Sequence, residues 1–179
     1  MIRTGTGFGR DSFEGLVAHS EVLDLMKGHS DVIAALNEVI RAELTASQQY
    51  LLGGARFRND GYTKLATKLE AESRSEFEHA RQVADRVLYL GGTPDGRPLS
   101  DPAQPDSAVG RFEADLALET AHAARLNAAI AAARSRGDHG SAKLLEVILV
   151  ATEEHVDWLE TQLDLARRLG EGLYLSQQL

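Results

Sequence analysis

An all-α bundle of four long helices is the fold class the sequence predicts, and three observations predict it. Apolar residues recur at alternating steps of three and four over four stretches of roughly 28 residues each, the period of a helix with one buried face. Glycine or Asn-Asp-Gly punctuation separates the members of each pair of stretches. All four prolines fall between Pro94 and Pro105, so irregular backbone is concentrated in one segment.

Residues 1–28 read as an N-terminal extension, with Gly5, Gly7, Gly9 and Gly15 and a weakly amphipathic piece near Phe13–Leu25. The bundle proper is assigned to residues 29–170. Ser30 is a suitable N-cap for the first helix, whose seam is Ile33, Leu36, Ile40, Glu43, Ser47 and Tyr50. Asn59-Asp60-Gly61 ends it, and Thr63 is the expected cap of the second. That seam runs Leu65, Leu69, Glu72, Glu76, His79, Val83, Val87 and Leu90, up to Gly91-Gly92. The third helix presents Phe112, Leu116, Glu119, Ala123, Leu126, Ile130 and Ala133 and stops near Gly137. The fourth presents Leu145, Ile148, Thr152, His155, Leu159 and Ala166 and stops at Gly170. Residues 171–179 are left as a short C-terminal helix and tail. Each long helix spans about 42 Å at 1.5 Å per residue. The first and last links are too short for anything but antiparallel hairpins. The middle link, residues 91–106, reaches about 53 Å when extended, enough to cross the whole bundle and set helices two and three parallel. Two hairpins joined by one long crossover is the ferritin-like topology.

Composition excludes several classes. Apolar residues make up 43% and charged residues 26%, which suits a packed globular chain rather than a disordered one. There is no cysteine, hence no disulfide scaffold, thiolate metal site or thiol nucleophile. A formal net charge of −8 argues against a nucleic-acid partner. No apolar run approaches the roughly 18 residues of a membrane span, and residues 1–25 carry no signal-peptide h-region. A cytoplasmic location is the expectation.

The polar residues in the seams carry the chemistry. Glu43, Glu76, His79, Glu119 and His155 each occupy a position that the periodicity assigns to the core. One such residue alone reads best as a solvated edge or a hydrogen-bonded core histidine. Five near mid-helix on four helices do not, because each buried unpaired carboxylate costs several kcal/mol. A cation supplies the missing charge, and carboxylates with imidazoles suit iron or manganese. Glu76-Phe77-Glu78-His79 is a Glu-x-x-His, with both ligands on one face. One glutamate from each of helices one and three, with a Glu-x-x-His from each of helices two and four, is the di-iron carboxylate pattern. Helix four departs from it, since Thr152 stands where that second Glu-x-x-His needs glutamate. Glu153 and Glu154 are adjacent, but they point roughly 100° and 200° away and read as solvated. His122, three after Glu119, is an additional ligand candidate whose plainer reading is a surface or supporting histidine. Glu72 is a candidate channel or supporting carboxylate.

With those residues in view, the sequence resembles bacterioferritin from about Met26-Lys27-Gly28 to Leu175. The resemblance rests on Asn37…Glu43-Leu-Thr-Ala…Gln49-Tyr50, on Asp115-Leu-Ala-Leu-Glu119, and above all on His155-Val-Asp-Trp-Leu-Glu-Thr-Gln-Leu163. It implies a hollow shell of twenty-four subunits that takes up Fe(II), oxidises it with dioxygen or peroxide, and stores ferric mineral. It also implies subunit pairs sharing a haem held by a methionine from each. Carried over by position, the iron ligands are Glu43, Glu76, His79, Glu119 and His155, while Thr152 replaces a glutamate that bridges both irons. The haem methionine position is Phe77, so haem is not expected in a homo-oligomer. The inner-surface iron ligands fall on Ala71 and Ser75. Three functions follow as alternatives: an iron-storage subunit with an altered mono- or di-iron ferroxidase site, a ferroxidase-impaired subunit of a shell mixed with a second bacterioferritin, or a small-molecule di-metal oxidase. The extension is expected to pack on protein through Phe8, Phe13, Leu16 and Val17.

Overall fold

The computed structural model describes residues 27–179, and the expected packing of the extension lies outside them. Four long helices, α1 (Ser30–Asn59), α2 (Thr63–Tyr89), α3 (Ala108–Ser135) and α4 (His139–Leu169), precede a short α5 (Glu171–Ser176). α1 pairs with α2 and α3 with α4, and α1 packs across on α3.

Contacts at the helix ends establish the topology. Gly28 N donates to Leu90 O at 2.9 Å, which sets the start of α1 beside the end of α2. A Cβ on Gly28 would stand 2.6 Å from Leu90 Cβ, so only glycine allows that approach. Arg136 after α3 reaches Asp31 at the start of α1 at 2.8 Å, while Arg86 near the end of α2 reaches Asp138 before α4 at 2.6 Å. The ends of α2 and α3 therefore share one end of the bundle, and the two helices run parallel as the crossover requires.

The crossover is pinned along α1. Asn37 Nδ2 donates to Thr93 O, Arg41 Nε to Arg97 O, and Thr45 Oγ1 accepts from Leu99 N. Gln49 Oε1 accepts from Ala103 N. One polar residue per turn of α1 thus satisfies a backbone that has no ladder of its own.

Two of the expected caps are displaced. Ser30 and Thr63 lie inside their helices, with His29 and Tyr62 at the cap positions and no side-chain cap bond at either. Tertiary bonds hold those ends instead, including Lys64 N to Gln178 O at 3.1 Å. The other two starts are capped by side chains, Ser107 accepting from Gly110 N and Asp138 from Ser141 N.

The apolar core comes in two parts. At the end holding the start of α1, Val32, Leu36, Val83, Val87, Leu126, Leu145 and Ile148 pack together. At the other end Tyr50, Phe57, Leu65, Leu69, Phe112, Leu159 and Tyr174 do the same. Each large apolar side chain buried there stabilises the fold by about 1.5–3 kcal/mol. Between the two parts every long helix contributes polar residues: 43 on α1, 76 and 79 on α2, 119 and 122 on α3, 152 and 155 on α4.

Candidate metal centre

Glu43 and Glu119 are fully buried, Glu76, Thr152 and His155 are at most 3% exposed, and His79 is half-buried. Glu153 and Glu154 are exposed, as their helical directions require. The first hairpin brings Glu43, Glu76 and His79 together, each offering a ligand atom within 4.8 Å of the others. No other trio among the described residues is as close. His79 Nδ1 lies 3.1 Å from Glu76 Oε2 and 3.7 Å from Glu43 Oε2.

The second hairpin is arranged differently. Tyr50 OH donates a short hydrogen bond to Glu119 Oε1, and Glu119 Oε2 has no protein partner. Neither ring nitrogen of His155 has one. The His155 ring is fixed by packing instead, stacked on Trp158 at 5.5 Å and meeting the edge of Tyr50 at 5.1 Å. Thr152 Oγ1 donates to Ile148 O at 3.1 Å, so its hydroxyl is turned back along its own helix. Glu72 Oε1 lies 3.8 Å from His155 Nδ1 and is ion-paired to Lys68, whose ammonium sits over Trp158.

Electrostatics follow this division. Burial acts to raise the Glu43 carboxyl, but hydrogen bonds from His122 and His79 outweigh it and hold the group ionised. For His79, burial opposes the charge while Glu43 and Glu76 win and lift it to about 10. Burial pushes Glu76 well up. Burial also raises Glu119 to about 8, against the Tyr50 bond and with repulsion from Glu43 and Asp115. Desolvation drops His155 to about 4, so its imidazole is neutral and keeps a free lone pair at pH 7. Paired carboxylates, neutral or displaceable imidazole protons and orphaned buried oxygens make a donor set suited to a hard divalent cation.

His122 departs from the surface reading. It is 1% exposed, takes the seam place assigned to Ala123, and its Nε2 lies 2.9 Å from Glu43 Oε1. The i,i+3 spacing from Glu119 was the available signal, since it sets both on one face. Sequence reasoning gave no role to Trp158, although it follows His155 by three, nor to Lys68. Gln49 and Asp115 form a further buried pair at 2.7 Å beside Glu119.

Comparisons with known proteins agree with this fold. The ferritin-like domain family matches residues 33–169, which makes the chain a ferritin-like protein. It is 43% identical over 152 residues to a bacterioferritin of Mycobacterium bovis, covering 85% of this chain and 96% of that one. It is 43% identical to a bacterioferritin of Streptomyces coelicolor, covering 84% of this chain and 90% of that one. A bacterial ferritin of Pseudomonas aeruginosa is 38% identical, covering 86% of this chain and 100% of that one. The chain belongs to the bacterioferritin family.

Proposed function

We propose that this chain is an iron-storage shell subunit whose centre binds Fe(II) as substrate with five of six ligands, firmly on the first hairpin and weakly on the second. The observation that carries the reading is the buried belt of Glu43, Glu76, His79, Glu119 and His155 between two apolar cores, with four of its polar atoms lacking a hydrogen-bond partner. Ligand roles are assigned to those five residues, with His122 beside them.

In ferroxidase chemistry two Fe(II) each give up one electron, and one dioxygen takes both with two protons to become hydrogen peroxide. Glu43, Glu76 and His79 offer one iron three donors. Glu119 and His155 offer the second iron two. Thr152 brings no charge and no bridge, so the second iron binds more weakly and two-iron oxidation is slow.

Shell assembly fits the apolar side chains left on the surface of a single chain, among them Leu51, Leu52, Phe77, Tyr89, Val147 and Leu173. A shell of twenty-four copies in the cytoplasm is the assembly proposed. Phe77 is 59% exposed on α2, directly after the ligand Glu76, and has no donor atom for haem iron. Phe77 and Thr152 together favour a second reading, a mixed shell in which another bacterioferritin subunit supplies the intact site, the haem ligand or both.

Metal analysis and native mass of the particle from its own host test both readings. Iron-filled particles made of this chain alone support the first, and two subunit masses in one particle support the second. A monomer or dimer without iron contradicts both.

A further inference from the structure

Glu43 is attached to more than its own hairpin. One oxygen, Oε2, turns toward His79, and the other, Oε1, is held by His122 Nε2 at 2.9 Å from α3. Among the described residues, His122 thus joins the second hairpin to the ligand trio of the first. Its other nitrogen, Nδ1, is buried and has no protein partner. The same ring lines a cavity of about 410 Å³ between α1, α3 and the crossover. Exposed residues Ser100, Asp101 and Ala121 line that cavity too, so it opens to the surface.

Most other polar groups of the lining are committed. Thr45 and Gln49 hold Leu99 and Ala103 of the crossover, and Gln49 also donates to Asp115. Arg125 Nη1 donates to Ala121 O at 3.5 Å, which leaves Asp101 at the exposed rim and the buried Nδ1 of His122, which has no hydrogen-bond partner. An anion moving inward from there would approach Glu43, the carboxylate held ionised by its histidines. A divalent cation would move down that gradient. With Nε2 engaged by Glu43, Nδ1 is the ring atom left to ligate a metal.

We propose that His122 is a transit ligand, receiving Fe(II) from the cavity between α1, α3 and the crossover and passing it to Glu43, Glu76 and His79. The inference rests on the reading of those three residues as an Fe(II) site. His122 is the last donor before Glu43, and its ring spans the wall between cavity and centre. Because Glu43 Oε1 is bound to that ring, an ion arriving at His122 is one ligand exchange away from a carboxylate already facing the trio.

The experiment is stopped-flow binding of Co(II), which is not oxidised by air on this timescale, to the assembled full-length protein. The visible absorption of protein-bound Co(II) is followed, and native mass confirms assembly of each variant. His122→Gln keeps an N–H for Glu43 but removes the imidazole lone pair. Ala121→Trp narrows the cavity from its exposed rim without touching Glu43. Transit predicts a final absorption close to wild type in both variants and a binding rate lower by about tenfold, the effect of losing one charge-assisted step.

Wild-type rate in either variant overturns the proposal. If His122→Gln loses the final absorption, its role in holding Glu43 has been removed as well, and the Ala121→Trp rate then decides alone. A wild-type protein that acquires no absorption contradicts the reading of the centre itself, and the proposal falls with it. Normal absorption with unaffected rates overturns transit only.

Discussion

Glu43, Glu76 and His79 come from the first hairpin, and Glu119, Thr152 and His155 from the second, yet the two sets use their polar atoms in opposite ways. In the first, carboxylates and imidazole bond to one another, and the trio is already drawn within ligand distance. In the second, Glu119 leans on Tyr50, Thr152 turns back to Ile148, and both nitrogens of His155 are without hydrogen-bond partners. The first set holds its protons in internal hydrogen bonds, so a cation must displace them. The second is dehydrated and open but lacks the group that would bring it together. In the proposed reading a single side chain at 152 accounts for much of the difference, because glutamate there would have both the charge and the reach that threonine lacks.

The largest expected effect comes from repairing that position. Thr152→Glu should oxidise about two Fe(II) per subunit at least ~10-fold faster than wild type, since a bridging carboxylate removes of order 1.4 kcal/mol or more from the barrier. Stopped-flow absorbance reads this directly. A wild type already as fast as the variant breaks the comparison, because His122 or another group then supplies the bridge.

Removing the proposed ligands singly sharpens it. His79→Ala should weaken the tightest Zn(II) site by about 10- to 100-fold, while His155→Ala leaves that site within about threefold. Calorimetric titration measures both, and equal losses would mean that the two hairpins share every ion.

A third expectation concerns protons. His79 is raised to about 10 and so holds its proton at neutral pH in the metal-free protein, while burial favours the protonated form of Glu76. Metal must displace these protons, so about one to two should be released per Zn(II) bound, and apparent affinity should rise with pH between 6 and 8. Calorimetry in buffers of different ionisation enthalpy counts them, and no release would contradict the assignment.

The smallest effect concerns stability without metal. Glu119 is raised to about 8 from the usual carboxylate value, so between about pH 4.5 and 8 the folded state binds more protons than the unfolded one. Its contribution therefore declines as pH rises through that window. Asp115, raised by burial to about 7, acts in the same direction. His155, lowered to about 4, acts in the opposite sense, its contribution being lost as pH falls from 6.5 through 4. Glu119→Gln keeps a side chain that Tyr50 can bond and removes the first dependence. Denaturation midpoints of the metal-free proteins should then fall less steeply from pH 6 to 8 in the variant.

Much of this is legible in the sequence. Seam periodicity is imposed by burial, so it located the four helices and showed that Glu43, Glu76, Glu119 and His155 face inward. The length of residues 91–106 required the crossover. Missing from the sequence was how the polar atoms pair. Periodicity gives a direction to about one residue, which is why His122 and Ala123 exchanged places in the α3 seam. Caps were misplaced at Ser30 and Thr63 because those helix starts are fixed by the Leu90 and Gln178 carbonyls, distant in sequence. The stacking of Trp158 on His155 and the Lys68–Glu72 pair also depend on rotamers that no spacing reports.

The inequality of the two half-sites is tested most directly by crystallography of the protein loaded anaerobically with Fe(II), with anomalous occupancy refined at each position. The account predicts an iron near full occupancy on Glu43, Glu76 and His79, and a clearly lower one on Glu119 and His155. Equal occupancies at the two positions would contradict it.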